Sequence, residues 1–290
     1  MQHVSGISVA SHLVYSQGML ANAYFFGHPT WGKKYLRQES HNPFWTRRWR
    51  AVIPDWDGKI VVDIGCGPGN VYATLGGQPA LIIGVDISLG ALTLAQQVGY
   101  TPLLADAQAL PLKSGFADIV TLNGTIHHCD DMSAALREAA RLLKPEGLLV
   151  SDLDPQVSAR HYSGLGLWFD RVRRAPVREL LRPAERRSGA EIDTRAASEV
   201  HNFGPGDGIT PATYRSVLAP LRFDVALYPH NHQIGSEIFE GECGRAPWYI
   251  RAAQRLSGID STAIAAAQSI MCVARKRLVP QDIFESPEDI

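Results

Sequence analysis

Cysteine is scarce in this chain. There are four in 290 residues, Cys66, Cys129, Cys243 and Cys272. They lie far apart and form no C-x-x-C pair, which argues against a disulfide framework and a cysteine-built zinc site and suits a reducing compartment. An excess of one charge is also missing: 28 basic residues meet 29 acidic ones, for a formal net charge of −1. No global field draws such a chain to nucleic acid or acidic membranes, so only local patches could. Long apolar runs are absent too. Residues 4–26 come nearest, but Ser11, His12, Gln17, Gly18 and Asn22 interrupt them. Neither a signal peptide nor a membrane-spanning helix is expected, and the expected location is cytoplasmic. No internal repeat is found. The length allows one large α/β domain with insertions, or two small domains.

What is present is an alternation of strands and helices between Lys59 and Asp152. "KIVVDIG" is a continuous apolar run ending in glycine, as in a buried parallel strand. "ALIIGVD" (Ala80–Asp86), "TPLLAD" (Thr101–Asp106), "ADIVTLN" (Ala117–Asn123) and "LLVSDLD" are four more. Ser88 is placed to cap a helix over "LGALTLAQQV". "SAALREAARLLKPEG" has Leu136, Ala140 and Leu143 at helical spacing, with Pro145 and Gly147 as stop signals. The pattern predicts a doubly wound α/β sheet. After Asp154 the pattern breaks. "TPATYRSVLAPL" reads as a helix, and "RFDVALY" and "SIMCVARKR" as a sixth and a seventh strand.

The first strand runs into "VVDIGCGPGN", whose Gly65, Gly67 and Gly69 let backbone approach a ligand closely. The dinucleotide fingerprint G-x-G-x-x-G would place glycine at position 70, which is Asn70. Asp63, two residues ahead of the turn, favours a cationic ligand over a pyrophosphate. Asp86 ends the second strand about twenty residues after the turn, where a carboxylate can bind ribose hydroxyls. Asp106 and Asn123 end the third and fourth strands, so all four should lie along one rim. Each acid alone could equally cap a helix or turn; the ordered set points to a ligand.

From about Gly58 to Asp154 the chain resembles the class I S-adenosylmethionine-dependent methyltransferases, in the small-molecule branch that includes the ubiquinone and menaquinone enzymes. "VVDIGCGPGN" is similar to their first motif and "IIGVDIS" to the acidic motif of the second strand. "LLADAQALPLKSGFADIV" is similar to the stretch from the adenine contact to the fourth strand, and "LREAARLLKPEGLLV" to the helix and strand after it. The resemblance covers about a third of the chain closely. It implies a Rossmann-like sheet of seven strands, mostly parallel with an antiparallel last strand, carrying helical cap insertions. It also implies S-adenosylmethionine as cofactor and S-adenosylhomocysteine as product. Gly65, Cys66, Gly67 and Gly69 would then line the methionine and ribose, and Asp63 would face the methionine amino group directly or through water. Asp86 would bind the ribose hydroxyls while Ile87 packs on adenine. Asp106 and the Ala107 backbone would contact the adenine, and Asn123 and Gly124 would border the sulfonium.

Methyl transfer from a sulfonium is an in-line displacement that mainly needs alignment and exclusion of water. A base is needed only for a protonated nucleophile. His127 and His128, in "TIHHCDD", are the candidate bases, with pocket lining or helix capping as the competing role. The cluster lacks metal-ligand spacing, so no metal is expected. His230 and His232 come just after the sixth strand, where loop solvation is the simplest role; His201 could join them. Trp31, Trp45, Trp49 and Trp56, interleaved with Tyr24, Phe25, Phe26, Tyr35 and Phe44, read either as an aromatic lid for a flat or apolar acceptor or as packing on the sheet. Arg160, Arg171, Arg173, Arg174, Arg178, Arg182, Arg186 and Arg187 could recognise a carboxylate or phosphate, or form a solvated helix face.

The expected organisation is an N-terminal helical and aromatic lid over 1–56, the cofactor-binding core over 57–155 and a helical cap insertion over 156–199. Residues 200–277 complete the core with a second insertion at 229–268, and 278–290 form a loose tail. The expected acceptor is a small molecule with an O, N or C nucleophile. Nucleic acid is not expected, because "TLNGTIHH" lacks the Asn/Asp-Pro-Pro-aromatic signature. Two rival readings are a non-methylating or non-catalytic binder of the same cofactor and an NAD(P)-dependent oxidoreductase, the latter opposed by Asp63 and Asn70.

Overall fold

A computed structural model describes residues 2–39, 42–174, 200–201 and 207–278. Most of the arginine-rich insertion and nearly all of the C-terminal tail lie outside the described residues. Among the described residues nine strands form one sheet in the order β1-β2-β5-β4-β3-β6-β7-β9-β8. The strands are β1 (Gln2–Val4), β2 (Ile7–Val9), β3 (Ile60–Ile64), β4 (Leu81–Asp86), β5 (Thr101–Leu104), β6 (Ala117–Asn123), β7 (Leu143–Pro155), β8 (Phe223–His230) and β9 (Ser269–Lys276). From β5 to β7 all pairs are parallel, and β9 runs antiparallel to both β7 and β8. The α/β sheet with its antiparallel last strand is as expected, but it has two strands more than the expected seven. They come from the N-terminus, read as helical throughout. There Ser5 and Gly6 both take positive φ, at 51° and 80°, and close a hairpin. Its second strand then pairs in parallel with β5, Ser8 beside Leu103.

Nine α-helices are described: α1 (Gln17–Gly27), α2 (Pro29–Glu39), α3 (Pro43–Val52), α4 (Asn70–Leu75), α5 (Leu89–Val98), α6 (Met132–Leu142), α7 (Gly164–Arg174), α8 (Pro211–Leu218) and α9 (Trp248–Leu256). Local chemistry sets several of their starts. Ser88 accepts the Ala91 N–H and caps α5, as the sequence predicts. Asp131 and Thr210 do the same for α6 and α8. The two sheet faces are covered by separate cores. Leu136, Ala139 and Leu142 of α6 pack with Tyr214 and Leu218 of α8 on one face. Trp45 and Trp49 of α3, Val71 of α4 and Leu92 of α5 pack on the other. After β3 the chain winds outward through β4 and β5, then returns to lay β6 on the other side of β3. That reversal opens a crevice at the carboxyl ends of β3 and β6, where open α/β sheets bind ligands.

Near that rim β7 is irregular. Its pairing with β9 steps from Ser151–Cys272 to Asp154–Ile270, which leaves one extra residue on β7, and Leu153 takes φ 64°. In a regular strand Asp152 and Asp154 would share a face; here they part. Asp152 is fully buried toward α3. Its Oδ2 accepts Arg48 Nε and Nη2 at 3.1 and 2.9 Å and Trp49 Nε1 at 2.9 Å. Its Oδ1 lies 2.7 Å from His230 Nε2 and accepts the Leu153 N–H. Burial alone would raise the proton affinity of Asp152, but His230 and Arg48 override it and hold the carboxyl well below the usual range. The ion pair therefore contributes stability above the unfolded carboxylate pKa and loses it only as the pH falls below that value.

Arg48→Met removes the cation and leaves Asp152 buried beside fewer donors. Breaking a buried pair in this way costs about 3–5 kcal/mol. Urea unfolding at neutral pH should show a loss of that order.

Candidate functional site

The turn between β3 and α4 is built from left-handed glycines, Gly65 at φ 68°, Gly67 at 53° and Gly69 at 99°. A Cβ on Gly65 would collide with the Thr125 side chain, and one on Gly69 would press on the Tyr100 ring at 3.0 Å. A Cβ on Gly67 would meet nothing within 4 Å. The first and third glycines are thus required by packing, and the middle one leaves its backbone open to a ligand.

A cleft opens at this turn. Its walls include Gly65, Cys66, Gly67, Asp86, Ile87, Asp106, Ala107, Asn123, Gly124 and His128. Ten residues singled out in the sequence thus meet in one place, drawn from the ends of β3, β4, β5 and β6. Asp63, Gly69 and His127 are not in the lining. Asp86 accepts the Gly67 N–H at 2.9 Å and the Ser88 N–H at 2.8 Å, so one carboxylate braces the turn and the start of α5. Asp106 Oδ1 is held by the backbone and side-chain N–H groups of Gln108. Asn123 Oδ1 accepts Trp45 Nε1 at 3.0 Å.

Asp63 sits beneath the turn, buried. Tyr100 donates to its Oδ2 at 2.7 Å and Thr121 to its Oδ1 at 2.8 Å. Burial pushes its pKa up to about 6; the two hydroxyls pull it down, and the charge of Asp86 pushes it up. Burial likewise pushes Asp86 up to about 6, against the backbone N–H groups it accepts. Both are ionised at neutral pH and gain from a nearby cation. Sequence reasoning missed Tyr100 and Thr121, because their link to Asp63 runs across the sheet.

The two adjacent histidines part company. His128 is on the cleft wall, with Phe26 edge-on at 5.4 Å. His127 is buried behind it, the ring centroids 4.0 Å apart. Its Nδ1 lies 2.8 Å from Asp154 Oδ1, which also accepts the His127 backbone N–H. Ser151 Oγ donates to Asp154 Oδ2 and meets the Tyr214 hydroxyl at 2.9 Å. An imidazole whose Nδ1–H is held by a carboxylate carries its lone pair on Nε2 when neutral. His201 joins this cluster through its backbone N–H to the His127 carbonyl. His230 departs from the solvated-loop expectation. It is fully buried against Asp152, because β8 runs on past Tyr228 and carries it into the core. The His232 Nε2 lies 2.8 Å from Ser269 Oγ, and desolvation of the ring pushes its pKa down to about 4. Among the described residues no group of three or more His, Cys, Asp or Glu could hold a metal.

The N-terminal aromatics divide between lid and packing. Trp45, Trp49 and Trp56 are core, and the first two stack at 4.7 Å. Met19, Asn22 and Phe26 of α1 and Tyr35 of α2 line the cleft. The Tyr15 hydroxyl on the Ile87 carbonyl and the Ser88 hydroxyl on the Ala23 carbonyl pin this cover to the end of β4. Asn70 lines the cleft as well. It is buried, and its Oδ1 has no hydrogen-bond partner.

Residues 62–151 match the methyltransferase domain family. This core is of the class I S-adenosylmethionine-dependent methyltransferase type. A demethylmenaquinone methyltransferase of Corynebacterium kroppenstedtii is 32% identical over 36% of this chain and 46% of its own length. A malonyl-[acyl-carrier protein] O-methyltransferase of Methylovorus is 37% identical over 33% of this chain and 38% of its own. The chain thus spans about half, or less, of the length of these curated relatives. In fold, it is similar to an S-adenosylmethionine-dependent methyltransferase of Thermotoga maritima, at 17% identity and TM-score 0.51 over 88% of this chain and 99% of that one. The cyclase SpnF has a similar fold, at 16% identity and TM-score 0.50 over 95% of this chain and 100% of its own. The matched family segment ends within β7, and the cap, Asp154 and the last strands lie outside it.

Tyr100→Phe removes the donor to Asp63 Oδ2 in a buried place. It should cost about 1–3 kcal/mol at neutral pH. The variant raises the Asp63 pKa further, so the loss should shrink at pH 5, where the carboxyl is protonated. Urea unfolding at the two pH values checks both parts.

Proposed function

We propose that the protein is a methyltransferase that transfers a methyl group from S-adenosylmethionine to a small-molecule O, N or C acceptor by in-line displacement. One observation carries the reading: a carboxylate at the end of β4, Asp86, reaches the middle glycine of a turn that is open to a ligand. Two features of the cleft fit the cofactor. The room beside Gly67 admits a ligand against bare backbone, and the unpartnered Asn70 Oδ1 is an acceptor suited to an ammonium group. Gly65, Gly67 and Asn70 would hold the methionine portion, with Asp63 contributing charge from beneath the turn. Asp86 would bind the ribose hydroxyls, Ile87, Asp106 and Ala107 the adenine, and Asn123 and Gly124 the region of the sulfonium. The cofactor supplies a methyl group already activated by positive charge.

The chain's own part is alignment, exclusion of water and, for a hydroxyl acceptor, removal of a proton. Met19, Phe26 and Tyr35 would cover the acceptor, and their apolar surfaces suit a flat or apolar molecule. His128, on the wall, would take the proton onto its imidazole. His127, fixed by Asp154, backs its ring.

Calorimetric titration with S-adenosylmethionine or S-adenosylhomocysteine tests the reading, and an absence of binding to either would sink it. Asp86→Ala should weaken binding by about 1–3 kcal/mol, the cost of losing hydrogen bonds to a charged group. Wild-type affinity in that variant would refute the ribose role. Affinity should also fall with acidity. A carboxylate that titrates at about 6 and binds only when ionised loses about tenfold in affinity between pH 7.5 and pH 5. Isotherms across that range give the slope.

A further inference from the structure

Helices α7 and α9 pack side by side on the rim beyond the tip of β7. Gly166 meets Ala253 and Ser257 at one end, and Arg173 lies over the Tyr249 ring at 4.5 Å at the other. The start of each helix is thus beside the end of its partner. The Ser163 N–H on Ser257 Oγ joins the two helices, and Gln254 of α9 donates to the Ala159 and Ala266 carbonyls, beside the Gln156 bonds to the Ala265 and Ala267 carbonyls.

Two properties coincide on this pair. The first is exposed apolar surface. Leu165, Trp168 and Val172 recur at i, i+3 and i+7, share one face of α7, and stand in solvent. On α9, Trp248 and Leu256 are exposed as well. The two tryptophans are 63% and 68% exposed, while Trp45, Trp49 and Trp56 are buried. The second property is cationic charge. Residues 160–174 and 245–256 hold seven arginines and one acid, in a chain whose charges nearly balance as a whole. The acid, Asp170, is buried and pairs with Arg173 at 2.8 Å. Arg171 is exposed at the margin of the α7 stripe. Arg251 and Arg255 lie at i+3 and i+7 from Trp248, on its side of α9. Partial desolvation and then the neighbouring Arg245 and Arg255 lower the proton affinity of Arg251, so the three guanidiniums crowd one another. Asp260, on the next turn, senses Arg255 but is engaged by Thr262.

We propose that the α7–α9 pair docks the protein onto an anionic membrane surface. Trp168, Leu165, Val172 and Trp248 would enter the boundary between headgroups and acyl chains, and Arg171, Arg245, Arg251 and Arg255 would meet the lipid phosphates. Amphipathic helices with Trp and Leu on one side and arginine at the margin bind in this way. Indole rings suit the boundary because they are apolar in body and polar at one edge. A nucleic acid would use the arginines and the rings, but it would gain nothing from Leu165, Val172 and Leu256, whereas acyl chains gain from each. Helix α7 follows the carboxyl end of β7, the end of the sheet at which the cleft opens. The inference goes beyond the methyl-transfer reading and does not depend on it.

Sedimentation of the full chain with vesicles tests it. Vesicles of phosphatidylcholine alone are compared with equal parts of phosphatidylcholine and phosphatidylglycerol, with a single-stranded RNA oligonucleotide as competitor. Binding should be about tenfold tighter to the anionic vesicles and should weaken with salt. Tryptophan emission should move to shorter wavelength on binding, because the described buried tryptophans are already shielded. Leu165→Glu with Trp168→Glu, and separately Arg251→Glu with Arg255→Glu, should each abolish binding while circular dichroism stays unchanged. No binding to anionic vesicles, binding that survives both double variants, or capture of the RNA in preference to vesicles would overturn the proposal. Loss of cofactor binding in calorimetry would instead count against the methyl-transfer reading alone.

Discussion

The structure hangs on one buried charge. Asp152 has no access to water, and a lone carboxylate there would cost several kcal/mol. Arg48 and Trp49 from α3 and His230 from the end of β8 surround it. No single segment supplies these donors. The N-terminal cover, the tip of β7 and the return of the chain into the sheet must all be in place before Asp152 is satisfied. The same helix carries Trp45, which stacks on Trp49 and holds Asn123 at the cleft rim. The buried charge beside Asn123 in the sheet therefore also helps set the position of that residue on the cleft wall.

The bulge at Leu153 makes this possible. It turns Asp152 toward α3 and Asp154 toward α8, so two acids two residues apart serve opposite faces of the sheet. One locks the N-terminal cover. The other holds His127 behind His128, in a chain of contacts that runs through Ser151 to Tyr214. A left-handed conformation at a leucine carries a strain cost of order 1–3 kcal/mol, and it persists where the surroundings over-determine it. Here two separate hydrogen-bond sets do so.

The cleft lining was legible in the sequence because its logic is local. A glycine turn comes directly after its strand, and Asp86 and Asp106 stand at strand ends, so one-dimensional order translates into one rim in space. The rest depends on pairings across the sheet. Nothing near Asp63 announces Tyr100 and Thr121. "SDLDP" reads as an ordinary strand end, and only the extra residue against β9 separates its two acids. His230 looks solvated until β8 is seen to run to its end inside the core. The hairpin at the N-terminus was masked by its shortness: two strands of three residues offer no periodicity, and only Ser5-Gly6 hinted at the turn.

Charge explains why the turn suits one nucleotide over another. Asp63 and Asp86 are both pushed up to about 6 by burial, and the second adds to the burden of the first. A pyrophosphate beside them would add more negative charge to a site that already holds its carboxylates at a cost. A cation would lower that cost, and the energy recovered would appear as binding. Asn70 fits the same logic. In a dinucleotide fold a glycine at that position lets the helix pack closely on the strand, whereas the asparagine brings a side-chain oxygen with no partner of its own. The asparagine at the end of the glycine turn and the acid beneath it thus act in the same direction, toward a ligand that brings positive charge and donors.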